Sequence, residues 1–198
     1  MSNERPSNLS AAEAMSRLEA GNQRYVAGSS SHPNCDPVRR ASLTGGQQPF
    51  ATILTCADSR VSPELIFDQG LGDLFVIRVA GNILDDAVLG SIEYASVHLG
   101  VNLVMVMGHE SCGAVGAAVQ GDPTQLHIDE LIRAIRPAVE KAQAAGDSSL
   151  DGSVRANASY VAETLGSAEP VMGKLCAESG VSVRAAYYSL SSGSVSLL

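Results

Sequence analysis

Past residue 50, the apolar residues of this chain fall into short, nearly unbroken runs separated by polar and glycine-bearing punctuation. The runs at residues 50–55, 74–79 and 101–107 lack the alternation of a strand with one wet face, so they predict strands buried on both sides. Between the first two, Ser62 followed by Pro63 and Glu64 predicts a helix start, with a cap and then proline at the first helical position. Between the second and third, Asp85 or Asp86 caps a helix that runs to about His98 and ends at Gly100. Strand, helix, strand, helix, strand is the order of a parallel sheet covered on both faces. From Cys112 to about Ser179 the pattern turns mainly helical, with breaks at 121–123, 146–152 and 167–170. Residues 181–190 and 195–198 then return to strand around Ser191, Ser192 and Gly193, which predicts an antiparallel hairpin.

Upstream the pattern is weaker. Ser10 and Glu13 have the spacing of a capping box, and Ala11, Met15, Leu18 and Tyr25 recur at helical spacing, interrupted by Asn22, before Gly28 stops the helix. So short a stripe suggests docking onto a neighbouring element or subunit. Residues 1–9 read as loose and residues 28–49 as an irregular connection. The expected fold is α/β and three-layered: a mostly parallel central sheet, a C-terminal antiparallel hairpin and an N-terminal helical arm. One domain over 1–198 is expected, with arm and connection in 1–45 and the core in 50–198.

Composition narrows the function. With 198 residues, 45% of them hydrophobic, the chain can bury one good core but hardly two. Thirteen basic against twenty-one acidic side chains give a net charge of −8, which opposes nucleic acid and anionic membranes and leaves a small substrate. No apolar run approaches the ~20 residues that span a bilayer, and residues 1–6 lack a leader pattern, so a soluble, cytoplasmic protein is expected. Four scattered cysteines, Cys35, Cys56, Cys112 and Cys176, suit reduced thiol or metal chemistry better than a disulfide framework.

Two of them lie where chemistry gathers. Cys56 closes the first strand, His109 closes the third, and Cys112 falls in the first turn of the next helix, so all three meet at the carboxyl ends of the strands, where open sheets form their sites. Two thiolates and an imidazole suit zinc, and three protein ligands with a fourth position open is the catalytic pattern. Asp58 and Arg60 follow Cys56 by two and four residues; Asp58 can hydrogen-bond a zinc-bound hydroxide while Arg60 keeps that carboxylate ionised.

The stretches Cys56-Ala57-Asp58-Ser59-Arg60 and His109-Glu110-Ser111-Cys112-Gly113 closely resemble the β-class carbonic anhydrases, and the resemblance runs from residue 21 to residue 188. It implies zinc-dependent reversible hydration of carbon dioxide, with one zinc per chain on Cys56, His109 and Cys112 and attack by its bound hydroxide. It also implies that Asp58, paired with Arg60, orients that hydroxide. Gln47 and the amide of Gly113 would donate to a substrate oxygen, and Phe75, Tyr94 and Ala80 would line an apolar wall. In that family the glutamine and aromatics come from a partner subunit, so a homodimer or a multiple of it is implied. Some members carry tryptophan three residues before the first cysteine, in a form where the aspartate moves onto zinc; here that position is Ile53. Asp58 is therefore expected on Arg60.

Rival readings remain. Ser111 sits in a G-x-S-x-G-like turn, as a serine hydrolase nucleophile would, but His109 replaces the first glycine and His127 is the only later histidine. A non-enzymatic zinc module would need a fourth protein ligand. Carbonyl sulfide or carbon disulfide hydrolysis would use the same zinc site on similarly linear substrates. Cys35, Cys176, His32, His98 and His127 receive no role.

Overall fold

A computed structural model describes residues 5–121 and 127–198. The three apolar runs become β1 (Ala51–Thr55), β2 (Leu74–Arg78) and β3 (Leu103–His109), and the C-terminal runs become β4 (Ser182–Tyr188) and β5 (Val195–Leu197). They form one sheet in the order β2-β1-β3-β4-β5, parallel throughout except for the antiparallel β4–β5 pair. The chain leaves β1 toward one edge to make β2, then crosses back to place β3 on the other side of β1. That reversal opens a crevice beyond the carboxyl ends of β1 and β3.

Alternation along the strands divides the core into layers. Ile53, Leu103, Met105 and Ala186 face α1 (Ala11–Val26) and the single turn α3 (Pro63–Ile66). Leu54, Val104 and Val106 face α4 (Asp86–His98), α7 (Leu150–Gly166) and α8 (Met172–Glu178). A third apolar cluster closes the carboxyl end, where α5 (Gly113–Gln120) and α6 (Ile128–Ala144) pack around Val115, Ile135 and Val154. Among the described residues, no helix is long and apolar enough to cross a membrane.

The capping box at Ser10 and Glu13 forms as the spacing predicts. The helix it starts docks on its own sheet, through the buried Ala14 and Leu18 with Ala11, Met15 and Tyr25 partly buried beside them, and at Gly21 the backbones come so close that a Cβ would lie 1.7 Å from the Phe67 carbonyl oxygen. Asn22, which interrupts the stripe, is buried and bonds the Ile66 and Gly193 carbonyls and the Val195 amide.

Four boundaries differ from the sequence reading. Residues 5–9 are fastened: Arg5 donates to the carbonyls of Ser96 and Val101, and Asn8 to those of Pro49 and Leu99. The connection 28–49 holds a short helix, α2 (Pro37–Ser42), capped by the Asp36 side chain. β3 starts two residues late because Asn102 spends its side chain on Arg5 and the Leu9 carbonyl, and it continues through His109, which pairs with Tyr188. The break at 146–152 ends at Ser149, whose side chain accepts from the Gly152 amide, so Gly152 lies in the first turn of α7. Of the break at 121–123, Gly121 ends α5 in a left-handed conformation; the rest lies outside the described residues.

Candidate metal centre

Cys56 is the first residue past β1, His109 the last of β3, and Cys112 the N-cap of α5. The chain turns between the last two through Ser111, whose φ of 57° lies in the left-handed region that non-glycine residues seldom occupy. This turn brings the imidazole and both thiols together. One ligand atom from each lies within 4.8 Å of the others, and all three residues are buried. Tetrahedral zinc with sulfur at about 2.3 Å and nitrogen at about 2.0–2.1 Å spaces its ligand atoms roughly 3.5–3.8 Å apart, which fits inside that spread.

The donor chemistry fits as well. His109 Nδ1 lies 2.9 Å from the Glu110 carbonyl oxygen, which can only accept, so Nδ1 carries the proton and Nε2 keeps its lone pair. Nε2 is buried and has no hydrogen-bond partner among the described residues. The two sulfurs oppose each other's ionisation: the neighbouring Cys112 thiol, against the opposing effect of burial and with help from the Gly81 amide, holds Cys56 below the ordinary thiol range. The Cys56 thiolate, together with burial, pushes Cys112 upward. Two adjacent sulfurs that resist ionising together are matched to a bound cation, which favours both thiolates.

At the mouth of the triad, Arg60 grips Asp58 with both arms of its guanidinium, Nε to Oδ1 at 2.9 Å and Nη2 to Oδ2 at 2.7 Å, and its amide also donates to Oδ1. The side-chain bond is the largest influence on Asp58 and holds its carboxyl well below the usual carboxylate range. Asp58 Oδ2 lies 3.8 Å from His109 Nε2, so the carboxylate faces the triad while paired with Arg60.

The loop that carries these groups is held by residues absent from the sequence reading. Arg78, the last residue of β2, donates to the carbonyls of Cys56 and Asp58 at 3.2 and 2.6 Å. A charged residue closing an apolar strand at the same end as Cys56 was the available signal. Glu110 accepts from the Ser189 hydroxyl and the Ser191 amide, tying the ligand turn to the terminal hairpin.

Gly113 opens α5 beside Cys112, with open space where a Cβ would stand, and Ala80 begins a tight turn, Ala80–Asn82, whose Gly81 amide donates to Cys56 Sγ at 3.3 Å. Gln47, Phe75 and Tyr94 are not brought to the triad within one chain. Gln47 is exposed ahead of β1, in a groove with Leu43, His98 and Leu99, and five residues of strand, about 17 Å, separate that end from the Cys56 end. Phe75 on the edge strand β2 contacts Tyr94, ring centroids 6.3 Å apart, and Tyr94 contacts His98 at 5.2 Å, with Tyr94 48% exposed. Ser111 has the elbow-like backbone of a nucleophile turn, yet that turn serves the cluster: the Ser111 carbonyl accepts from Arg60, and His127 stands exposed at the start of α6. Cys35 is exposed and Cys176 half-buried against the α7–α8 cluster.

The molecule is thus an open, mostly parallel α/β sheet with a buried Cys-His-Cys group, one that could hold a metal ion, at its topological switch. The carbonic anhydrase family model matches residues 51–195. Carbonic anhydrase 2 of Mycobacterium tuberculosis is 48% identical over 136 residues, which cover 67% of this chain and 66% of that relative, just under two thirds of its length. The carbonic anhydrase of Mycolicibacterium smegmatis is 46% identical over 142 residues, 70% of this chain and 69% of the relative. Among solved structures, the β-carbonic anhydrase CafA of Aspergillus fumigatus aligns with a TM-score of 0.75 at 26% identity, over 93% of this chain and 90% of that one. A Coccomyxa β-carbonic anhydrase in complex with acetazolamide aligns with a TM-score of 0.73 at 26% identity, over 98% and 87%. This chain belongs to the carbonic anhydrase family, in its β class.

Proposed function

We propose that this protein catalyses the reversible hydration of carbon dioxide to bicarbonate and a proton, with one zinc ion per chain on Cys56, His109 and Cys112. The observation that carries the reading is His109 Nε2, buried, without a partner, and aimed at the place where two thiols meet. Zinc bound there would acidify water and so supply a nucleophile near neutral pH. Asp58, kept ionised by the Arg60 fork, is the acceptor facing that place; it orients an O–H by accepting its hydrogen bond and disfavours an oxygen that has no proton to give. The Gly113 amide and the Gln47 side chain donate to the oxygen that gains charge, and Ala80, Phe75 and Tyr94 keep the substrate side apolar.

Since Gln47, Phe75 and Tyr94 lie away from their own triad, a second copy supplies them, and the working unit is a dimer or a multiple of it. Four free cysteines suit a reducing compartment, so we place the protein in the cytoplasm. The test is stopped-flow hydration of carbon dioxide with zinc quantified per chain, alongside Asp58→Ala and Cys112→Ser. Stoichiometric zinc with fast hydration, lost in both variants, is the expected result. Stoichiometric zinc without hydration would turn the assignment toward carbonyl sulfide or carbon disulfide. Full zinc and full activity in Cys112→Ser would overturn the ligand set.

A further inference from the structure

Asn157 sits in the middle of α7 with no exposed surface, in a helix whose neighbouring buried positions are Val154, Ala158 and Val161. An apolar side chain is the ordinary occupant of such a position. Instead an amide is buried with its Oδ1 unpartnered, a cost of roughly 1–3 kcal/mol in a typical interior, and it makes one hydrogen bond, from Nδ2 to the Gly81 carbonyl at 2.8 Å. Gly81 in turn donates its own N–H to Cys56 Sγ at 3.3 Å. The glycine is held in the left-handed region, φ 71° and ψ 15°, and a Cβ on it would meet Ile135 Cδ1 at 2.5 Å and Ala114 Cβ at 3.2 Å. Its position is thus bounded by α5 and α6 on one side and by the Asn157 bond on its carbonyl.

We infer that Asn157 is a positioning residue of the metal centre: it holds Gly81 so that the Gly81 amide stays aimed at the Cys56 sulfur. The inference rests on the reading that the triad binds zinc. An N–H donated to a thiolate withdraws charge from the sulfur and limits its rotation, so it tunes both the strength and the geometry of the metal–sulfur bond. A tie that merely joins a helix to a turn would affect melting but leave the metal's electronic environment alone.

The experiment compares the full-length wild type with Asn157→Leu and Asn157→Ser. Val161→Ala serves as a control that opens a cavity in the same helix without touching Gly81. Zinc affinity is measured by chelator competition, and the sulfur-to-metal charge-transfer band is recorded with cobalt(II) in place of zinc. For the Asn157 variants, zinc affinity should fall about tenfold or more and the cobalt band should move to longer wavelength, because a thiolate that loses its N–H donor gives up charge more readily. The control should move neither. An unchanged band and affinity in either folded Asn157 variant, or an equal change in Val161→Ala, overturns the inference. If neither variant folds, the cadmium-113-loaded wild type decides: the Gly81 amide proton should couple to the metal through the Cys56 sulfur, and absence of that coupling overturns the inference. A wild type that takes up no metal overturns the zinc reading itself, and this inference with it.

Discussion

The grip of Arg60 on Asp58 depends on shape as much as on charge. Two parallel N–H bonds leave the carboxylate one orientation, and a lysine ammonium would leave it several. Arg60→Lys should therefore retain full zinc yet hydrate carbon dioxide about tenfold to a hundredfold more slowly, as outer partners of a metal site typically do; steady-state kcat with metal analysis checks it. These two residues and the three candidate ligands could be picked out of the sequence because each lies within five residues of a strand end and carries a side chain suited to chemistry. Arg78, Gly81 and Asn157 were not, because they act through the backbone of other segments: a carbonyl accepts from any suitable donor, so no spacing announces the pairing. Gln47 was legible only by likeness to a family, since an exposed glutamine in a loop has no pattern of its own.

At the scale of elements, the junction between α1 and the end of α3 turns on one carboxylate. Asp68 has a side chain with no exposed surface; Arg24 of α1 donates to it at 2.6 Å, the Ser31 amide and hydroxyl at 3.0 Å each, and the His32 amide at 2.8 Å. Burial alone would raise its pKa, but the Ser31 and His32 amides and Arg24 overrule it and hold the carboxyl below its ordinary range. Asp68→Asn should cost roughly 1–3 kcal/mol of stability at neutral pH, from weakened bonds at a fully buried position and the lost charge opposite the part-exposed Arg24. A depressed folded pKa means that this contribution is complete above the unfolded value of about 4 and is lost as pH falls below it toward the folded value. The gap between wild type and variant in urea midpoint should therefore be constant from pH 7 to 5 and shrink below 4. The elements themselves were legible where cap chemistry stood next to an apolar run, as at Ser10 and Asp85. The six-residue α2 escaped notice despite Asp36-Pro37, the same cap-then-proline order as at Ser62, because no apolar face accompanies it: none of its residues is buried.

For the whole molecule, the β2 edge carries Phe75, Tyr94 and His98, half-open aromatic surface on a strand with one unpaired side. In the proposed dimer, a second copy covering this edge would give both the burial and the missing site groups. Tyr94→Glu should shift the protein toward monomer in sedimentation velocity, retain zinc and lose hydration; a fully active monomer would refute the shared site. The parallel order of the sheet was legible in the unbroken apolar strands. The proposed assembly came only from likeness to a family, because a surface that would meet its own copy looks in sequence like any other edge. The short length of β1 adds one more consequence. In the proposed two-fold dimer its two ends would belong to different sites: Gln47, ahead of β1, would serve the partner, while Cys56 at the other end, with Cys112, would serve its own chain. Gln47→Ala and Cys112→Ser proteins, each defective alone, should therefore complement each other when dissociated, mixed in equal amounts and reassociated. Half the dimers would be mixed, and each of those would hold one site with both defects and one with none, returning about a quarter of wild-type activity.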